Sequence, residues 1–161
     1  MKKDMPPHNV VFEDEFIAGV KDIFEKKIVF NEVLGLKVTS LTPTVVTASI
    51  DMWHELVGHF SYNRIHGGVI SACLDTMGGL ACMAAMGARH MDEPPLQRMQ
   101  RFAKLGTIDL RVDYLRPGIG EYFTVHANAL RVGSRVGSSR MEFRGPDGTL
   151  MSTGAAAYIV S

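Results

Sequence analysis

The sequence predicts an α+β fold in which an antiparallel sheet wraps around one long central helix, with an additional helix at the N-terminus. Three observations lead there. Residues 69–87 form an apolar run of helical spacing, too long for a strand. Residues 105–161 hold four strand-like segments separated by turn signals. Two more strand-like segments precede the helix. A long apolar helix among meandering strands has to bury its surface against them.

Each element has its own reason. In residues 11–29, Phe12, Phe16, Val20, Ile23 and Phe24 recur at helical spacing among charges, which predicts an amphipathic leading helix. Asn31 and Gly35 are expected to loosen the chain after it. Residues 34–52 read as two strands rich in Val and Thr, with Thr42-Pro43-Thr44 as their turn. Residues 54–65 are polar and aromatic without a period and are expected to be a loop. In the main helix, Ile70, Leu74, Met77, Leu80 and Ala84 keep three-four spacing. The opposite stripe is Ser71, Asp75, Gly78 and Cys82. Two adjacent mid-helix glycines, Gly78 and Gly79, cost about 1 kcal/mol each relative to alanine, so close packing of a sheet or a partner chain is expected there. Residues 89–104 form a long connection with Pro94-Pro95, either a lid or a surface insertion.

The strands follow. Residues 107–115 alternate strictly and end at Arg116-Pro117-Gly118. Residues 122–131 come next, then the turn Gly133-Ser134-Arg135, then residues 136–144. Gly145-Pro146-Asp147-Gly148 reverses the chain before residues 149–160. An open sheet edge has to find a partner, which predicts a homo-oligomer.

Composition excludes some classes. The 161 residues fit one domain with a real core. The 17 basic and 17 acidic residues cancel, so there is no general attraction to nucleic acid or to an anionic membrane. Residues 67–88 resemble a membrane span, but Asp75 near the centre favours a buried soluble helix. The N-terminal residues hold lysines and prolines without an apolar h-region, so no signal peptide is expected. Cys73 and Cys82 match no metal spacing and are expected to be reduced core residues of a cytoplasmic protein.

The chemistry concentrates at Asn63-Arg64-Ile65-His66-Gly67-Gly68. This stretch runs straight into the helix and reaches Asp75 nine residues past His66. Gly67 and Gly68 let the backbone approach a ligand closely. The N–H groups at a helix start lack intrahelical partners. Asp75 lies among small and apolar residues, where a lone charge is costly unless it is paired or functional. Oxyanion donors with a carboxylate one helix segment away point to acyl transfer or hydrolysis. Basic residues crowd the later half, among them Arg98, Arg101, Lys104, Arg131 and Arg135. They read either as solvated strand faces or as a local site for a phosphorylated ligand. Arg131, Ser134 and Arg135, beside Gly133, are candidates to hold phosphates.

Taken together, the element order, His66-Gly67-Gly68 followed by Asp75, and Thr107-Ile108-Asp109-Leu110-Arg111-Val112-Asp113-Tyr114-Leu115-Arg116-Pro117 resemble the hotdog-fold thioesterases of the PaaI-like acyl-CoA class. The resemblance covers residues 32–161. Residues 1–31 form an N-terminal extension with the amphipathic helix.

The resemblance implies an acyl-CoA thioesterase that releases a free acid and CoA, with a place in fatty acid metabolism. Asp75 is then the general base or nucleophile. Gly67 gives its N–H to the thioester oxygen, with Gly68 beside it, and His66 lines the site. Thr107 orients the attacking water. CoA is part of the substrate, so no separate cofactor or metal is implied. The site is shared between subunits of a dimer or a dimer of dimers, with Asp75 and Thr107 acting from a different chain than His66 and Gly67. Related enzymes often carry an amide six positions before the histidine, where this chain has Phe60. Asn63 is the candidate to replace it. Met77, Met83 and Met86 hint at an adaptable apolar tunnel for a medium- to long-chain acyl group. The alternative reading is a non-catalytic acyl-CoA-binding or regulatory module on the same fold.

Overall fold

Helix α3, Gly67–Gly87, is the axis of the molecule, and an antiparallel sheet curls around it. The computed structural model describes residues 9–161; the first part of the segment expected to lack a signal peptide lies outside the described residues. The chain starts with α1, Asp14–Asp22, continues through a π-helical turn over Ile23–Lys27, and forms α2, Val29–Leu34. Then come β1, Lys37–Leu41, and β2, Val46–Asp51. A 3₁₀ turn over His54–Leu56 leads to a small hairpin of β3, Val57–His59, and β4, Arg64–Ile65. After α3 come α4, Pro95–Gln100, and a 3₁₀ helix over Arg101–Lys104. The last four strands are β5, Gly106–Tyr114; β6, Tyr122–Val132; β7, Val136–Arg144; and β8, Leu150–Ile159.

The six long strands lie in the order β1-β2-β6-β7-β8-β5. This is the expected sheet around a central helix with a helix at the N-terminus. Strands β2, β6, β7 and β8 bury alternate residues against α3. Phe123, Phe143, Met141 and Val125 meet Leu74, Met77 and Leu80 in one core. Edge strand β5 differs: both of its faces are largely exposed, although its sequence alternates strictly. Its free edge leaves backbone groups unpaired.

Gly78 shows why α3 tolerates its glycines. A Cβ there would stand 2.6 Å from Ser139 Oγ and press on the Tyr158 hydroxyl. The sheet therefore occupies the space a side chain would need. The α3 helix is long and apolar enough to cross a membrane, yet most of it is buried inside the sheet. Cys73 and Cys82 are free and buried, and burial pushes both thiols up to about 12.

Five expectations need correction or refinement. The leading helix is not one helix over residues 11–29. It starts at Asp14, widens where Ile28 N–H bonds back to Ile23 O, and breaks at Ile28, whose φ of −80° and ψ of 90° are not helical. Asn31 does not loosen the chain: it is buried inside α2, and its Nδ2 donates to Phe24 O at 2.9 Å. Residues 31 and 32 are consecutive positions of that helix, and Phe16, Val20 and Phe24 join the common core. Residues 54–65 are not wholly loop, since they contain β3 and β4. The connection over residues 89–104 is partly helical, because Pro95 sits at the first helical position, where its fixed φ is favourable. Arg98 is no solvated charge. It is 0% exposed, 2.5 Å from Glu13 and stacked over Phe16, and it pins α4 to α1.

Candidate active site

His66 caps α3. Its φ of −68° and ψ of 136° are extended, and its Nδ1 accepts the Gly68 N–H at 2.8 Å. With Nδ1 an acceptor, the neutral ring carries its proton on Nε2. The Val69 and Ile70 N–H groups return to His66 O. Among the described residues nothing accepts the Gly67 N–H, which stays available to a ligand at the positive end of the helix. Tyr114 OH donates to Gly67 O at 2.8 Å, and Ser71 Oγ donates to the same carbonyl at 3.1 Å. The two hydroxyls also touch each other. A Cβ on Gly67 would meet the Tyr114 ring at 3.3 Å, so this turn packs tightly on β5.

Asp75 lies two turns further along the same helix. Thr107 Oγ1 on β5 stands 2.9 Å from its Oδ1 and 3.1 Å from its Oδ2. Buried Tyr158 on β8 donates to Asp75 O at 2.8 Å and fixes the helix backbone there. Burial and the nearby Asp75 charge raise the Tyr158 phenol above its ordinary value, so it stays a donor. Thr76 Oγ1 donates to Asn31 Oδ1 at 3.0 Å, which ties α2 to α3 beside the carboxylate. Asp75, Thr107 and Gly79 border a 120 Å³ cavity whose other walls include Phe24, Ile28 and Leu105.

Two clusters result: His66, Gly67 and Gly68 at the helix start, and Asp75 with Thr107. Asp75 lies eight positions past Gly67 on the helix, about 12 Å at 1.5 Å per residue. That is too far for both to act on one carbonyl within a single chain. Asn63 sits in the β3–β4 turn with φ of 45°, and Phe60 at its tip is 92% exposed. Among the described residues, Asp75 takes its hydrogen bonds from Thr107 and Tyr158 and from neither of these two.

The phosphate candidates separate as well. Ser134 lines a 560 Å³ cavity at the far end of α3 together with Arg89, His90, Arg101 and Lys104. Among the described residues no Asp or Glu lines it, and Arg89 Nε and Nη2 have no hydrogen-bond partner. Arg131 on β6 and Arg135 in the following turn are exposed and do not line the cavity, although each is a sequence neighbour of a lining residue. Sequence reasoning missed Ser71, Tyr114, Tyr158, Asn31 and Arg89. Tyr158 had a signal, as a tyrosine on a strand that had to pass the glycine pair of the helix.

A family model described as Thioesterase superfamily matches residues 62–152, which include the whole turn from His66 to Asp75 and also Thr107. The chain is 33% identical over 151 residues to the medium/long-chain acyl-CoA thioesterase YigI of Salmonella typhimurium, covering 94% of this chain and 97% of the relative. The Escherichia coli K12 protein of the same name is 32% identical over the same span. A crystal structure from Shewanella oneidensis, of a protein related to the thioesterase superfamily, is 37% identical. It superposes with a TM-score of 0.85 over 91% of this chain and 96% of that one. With the capped helix start, the hydrogen-bonded aspartate and this extent of likeness, the chain belongs to the Thioesterase superfamily and has its hotdog fold.

Proposed function

We propose that the protein is an acyl-CoA thioesterase that hydrolyses medium- to long-chain acyl-CoA to the free acid and CoA. The observation that carries this reading is Asp75, held by Thr107 at the mouth of an apolar cavity. Likeness to the YigI thioesterases supports the choice of substrate.

The residues divide the work as follows. The thioester oxygen accepts the Gly67 N–H, and negative charge grows on it as the carbonyl carbon becomes tetrahedral. Losing one such donor costs about 3 kcal/mol in the barrier. Asp75 takes a proton from the attacking water, or attacks the carbonyl itself to form a mixed anhydride that water then hydrolyses to the acid and free Asp75. Thr107 spends its proton on Asp75 and keeps its lone pairs for an incoming water. The C–S bond breaks, and the thiolate leaves without needing a strong acid.

The 12 Å between Gly67 and Asp75 supports a site completed by a second copy of the chain, with β5 as the exposed edge that meets it. His66 and Asn63 of one subunit then face Asp75 of the other. The basic cavity lined by Ser134, Arg89, Arg101 and Lys104 suits the CoA phosphates, with Arg131 and Arg135 close in sequence to Ser134. Two free, buried thiols fit a reduced, cytoplasmic setting.

The test compares wild type with Asp75→Asn on acyl-CoA thioesters, following thiol release. The expected result is a loss of about 10²–10⁴ in kcat, with an unchanged melting temperature and an oligomer by light scattering. Turnover near wild type in the variant would overturn the assignment. Tight acyl-CoA binding without turnover in wild type would favour the non-catalytic module, and a monomer would refute the shared site.

A further inference from the structure

The segment from Met99 to Leu105 separates two cavities of opposite character. Met99, Phe102 and Leu105 face one of 320 Å³, lined also by Met83 of α3 and by Ile23, Phe24 and Ile28 of the N-terminal segment; among the described residues no polar side chain lines it. Arg101 and Lys104 of the same segment face the basic cavity at Ser134. Three-residue spacing does this: in the 3₁₀ helix over Arg101–Lys104, residues i and i+3 share a face, and Met99 and Leu105 continue that spacing from Phe102 into its flanks.

The apolar cavity also continues the small one at Asp75. Phe24, Ile28 and Leu105 line both. We infer that this apolar chamber holds the acyl chain, and that Met83 and Met99 at its far end set the chain length the protein accepts. The inference rests on the thioesterase reading above.

The chemistry of the walls chooses the occupant. The pantetheine arm of CoA carries two amides, and an amide buried without partners is strongly disfavoured. An alkyl chain loses nothing there and gains by leaving water. The arm is left to run outside the segment, toward Arg101, Lys104 and Ser134, while the chain lies beneath it. The Met99–Leu105 segment is then the wall between the two halves of the substrate.

Length follows from the helix. Met83 lies eight residues past Asp75, about 12 Å along the axis. A zigzag alkyl chain advances about 1.25 Å per carbon, from single bonds of about 1.5 Å. The chamber therefore ends near the tenth carbon. Beyond that, the thioether of Met99 has to move, which its unbranched side chain permits. Two of the walls, the N-terminal helices and the connection over residues 89–104, lie outside the curled sheet, so the sheet alone does not form this chamber.

The experiment measures kcat/KM for butyryl-, octanoyl-, decanoyl- and palmitoyl-CoA with wild type, Met83→Phe and Met99→Ala. Met83→Phe shortens the chamber: decanoyl-CoA should lose at least about tenfold while butyryl-CoA changes less than about twofold. Met99→Ala deepens it, so the ratio of palmitoyl- to octanoyl-CoA activity should rise several-fold. Butyryl-CoA turnover doubles as the control for folding. Equal losses at every length in Met83→Phe would overturn the inference, because the chamber would then hold the CoA arm. An unchanged length profile in both variants would overturn it too. A wild type inactive on all four substrates would instead refute the thioesterase reading itself.

Discussion

Thr107 Oγ1 lies 2.9 and 3.1 Å from the two carboxylate oxygens of Asp75, so one hydroxyl proton is shared across the carboxylate. The contact joins the edge strand to the central helix beside the apolar cavity. It also orients the carboxylate, because Asp75 O is held separately by Tyr158. Side chain and backbone of Asp75 are thus pinned from two different strands.

Thr107→Val removes the hydroxyl at nearly constant volume. We expect kcat to fall by about 10- to 100-fold, in line with one lost positioning hydrogen bond to a charged group of about 1.5–3 kcal/mol. Thr107→Ser should keep most of the activity. Steady-state kinetics of the pair decides it: equal activity in Val and Ser variants would show that Thr107 is an ordinary strand residue.

Gly78 and Gly79 are neighbours in sequence with different surroundings. A Cβ at Gly78 would meet Ser139 Oγ at 2.6 Å and the sulfur of Met141 at 2.9 Å, with Tyr158 OH closer still. At Gly79 the nearest atom is a methyl of Leu105 at 3.2 Å, the end of a flexible side chain. Gly78→Ala should therefore destabilise by about 1–3 kcal/mol through overpacking. In Gly79→Ala, a helix gain of about 1 kcal/mol offsets a small adjustment of Leu105. Urea midpoints of the two variants should differ clearly, and similar midpoints would contradict the packing described for Gly78.

What the sequence revealed depended on how local the cause was. Helix α3 and strands β5–β8 were legible because periodicity and turn residues are local properties. The candidates His66, Gly67 and Asp75 could be picked out for the same reason, since they belong to one continuous stretch. Thr107 was legible only through resemblance, since its partner Asp75 lies 32 residues away. The π-helical turn and the break at Ile28 left no mark, because Ile and Val run on in an acceptable helical pattern. Asn31 reads as a helix breaker until its amide is seen bonded to Phe24 O and Thr76. Arg98 looked like one surface charge among many, and its partner Glu13 stands 85 residues earlier. Contacts of that range are set by how the elements dock, which no window of sequence contains.

That Arg98–Glu13 pair yields a pH prediction with a definite sign. Arg98 is wholly buried, and its hydrogen bond holds the Glu13 carboxyl below its ordinary value, with help from a backbone hydrogen bond. A carboxyl whose folded value is depressed binds fewer protons in the folded state than in the unfolded one. Its contribution is complete above the unfolded value of about 4.3 and is lost as pH falls through the folded value. Glu13 is nearly half exposed, so solvent screens the pair and the effect is modest. Breaking the pair by charge still leaves Arg98 buried without a counter-ion, which is the costlier side of the change. Glu13→Gln keeps an acceptor but removes the titration. We expect the variant to be less stable than wild type at pH 7 and the gap to narrow toward pH 3. Urea unfolding of both proteins at pH 7, 5 and 3 measures that gap directly, with the other carboxylates cancelling in the difference. A gap that stays constant with pH would mean that Glu13 holds α4 to α1 by shape and not by charge.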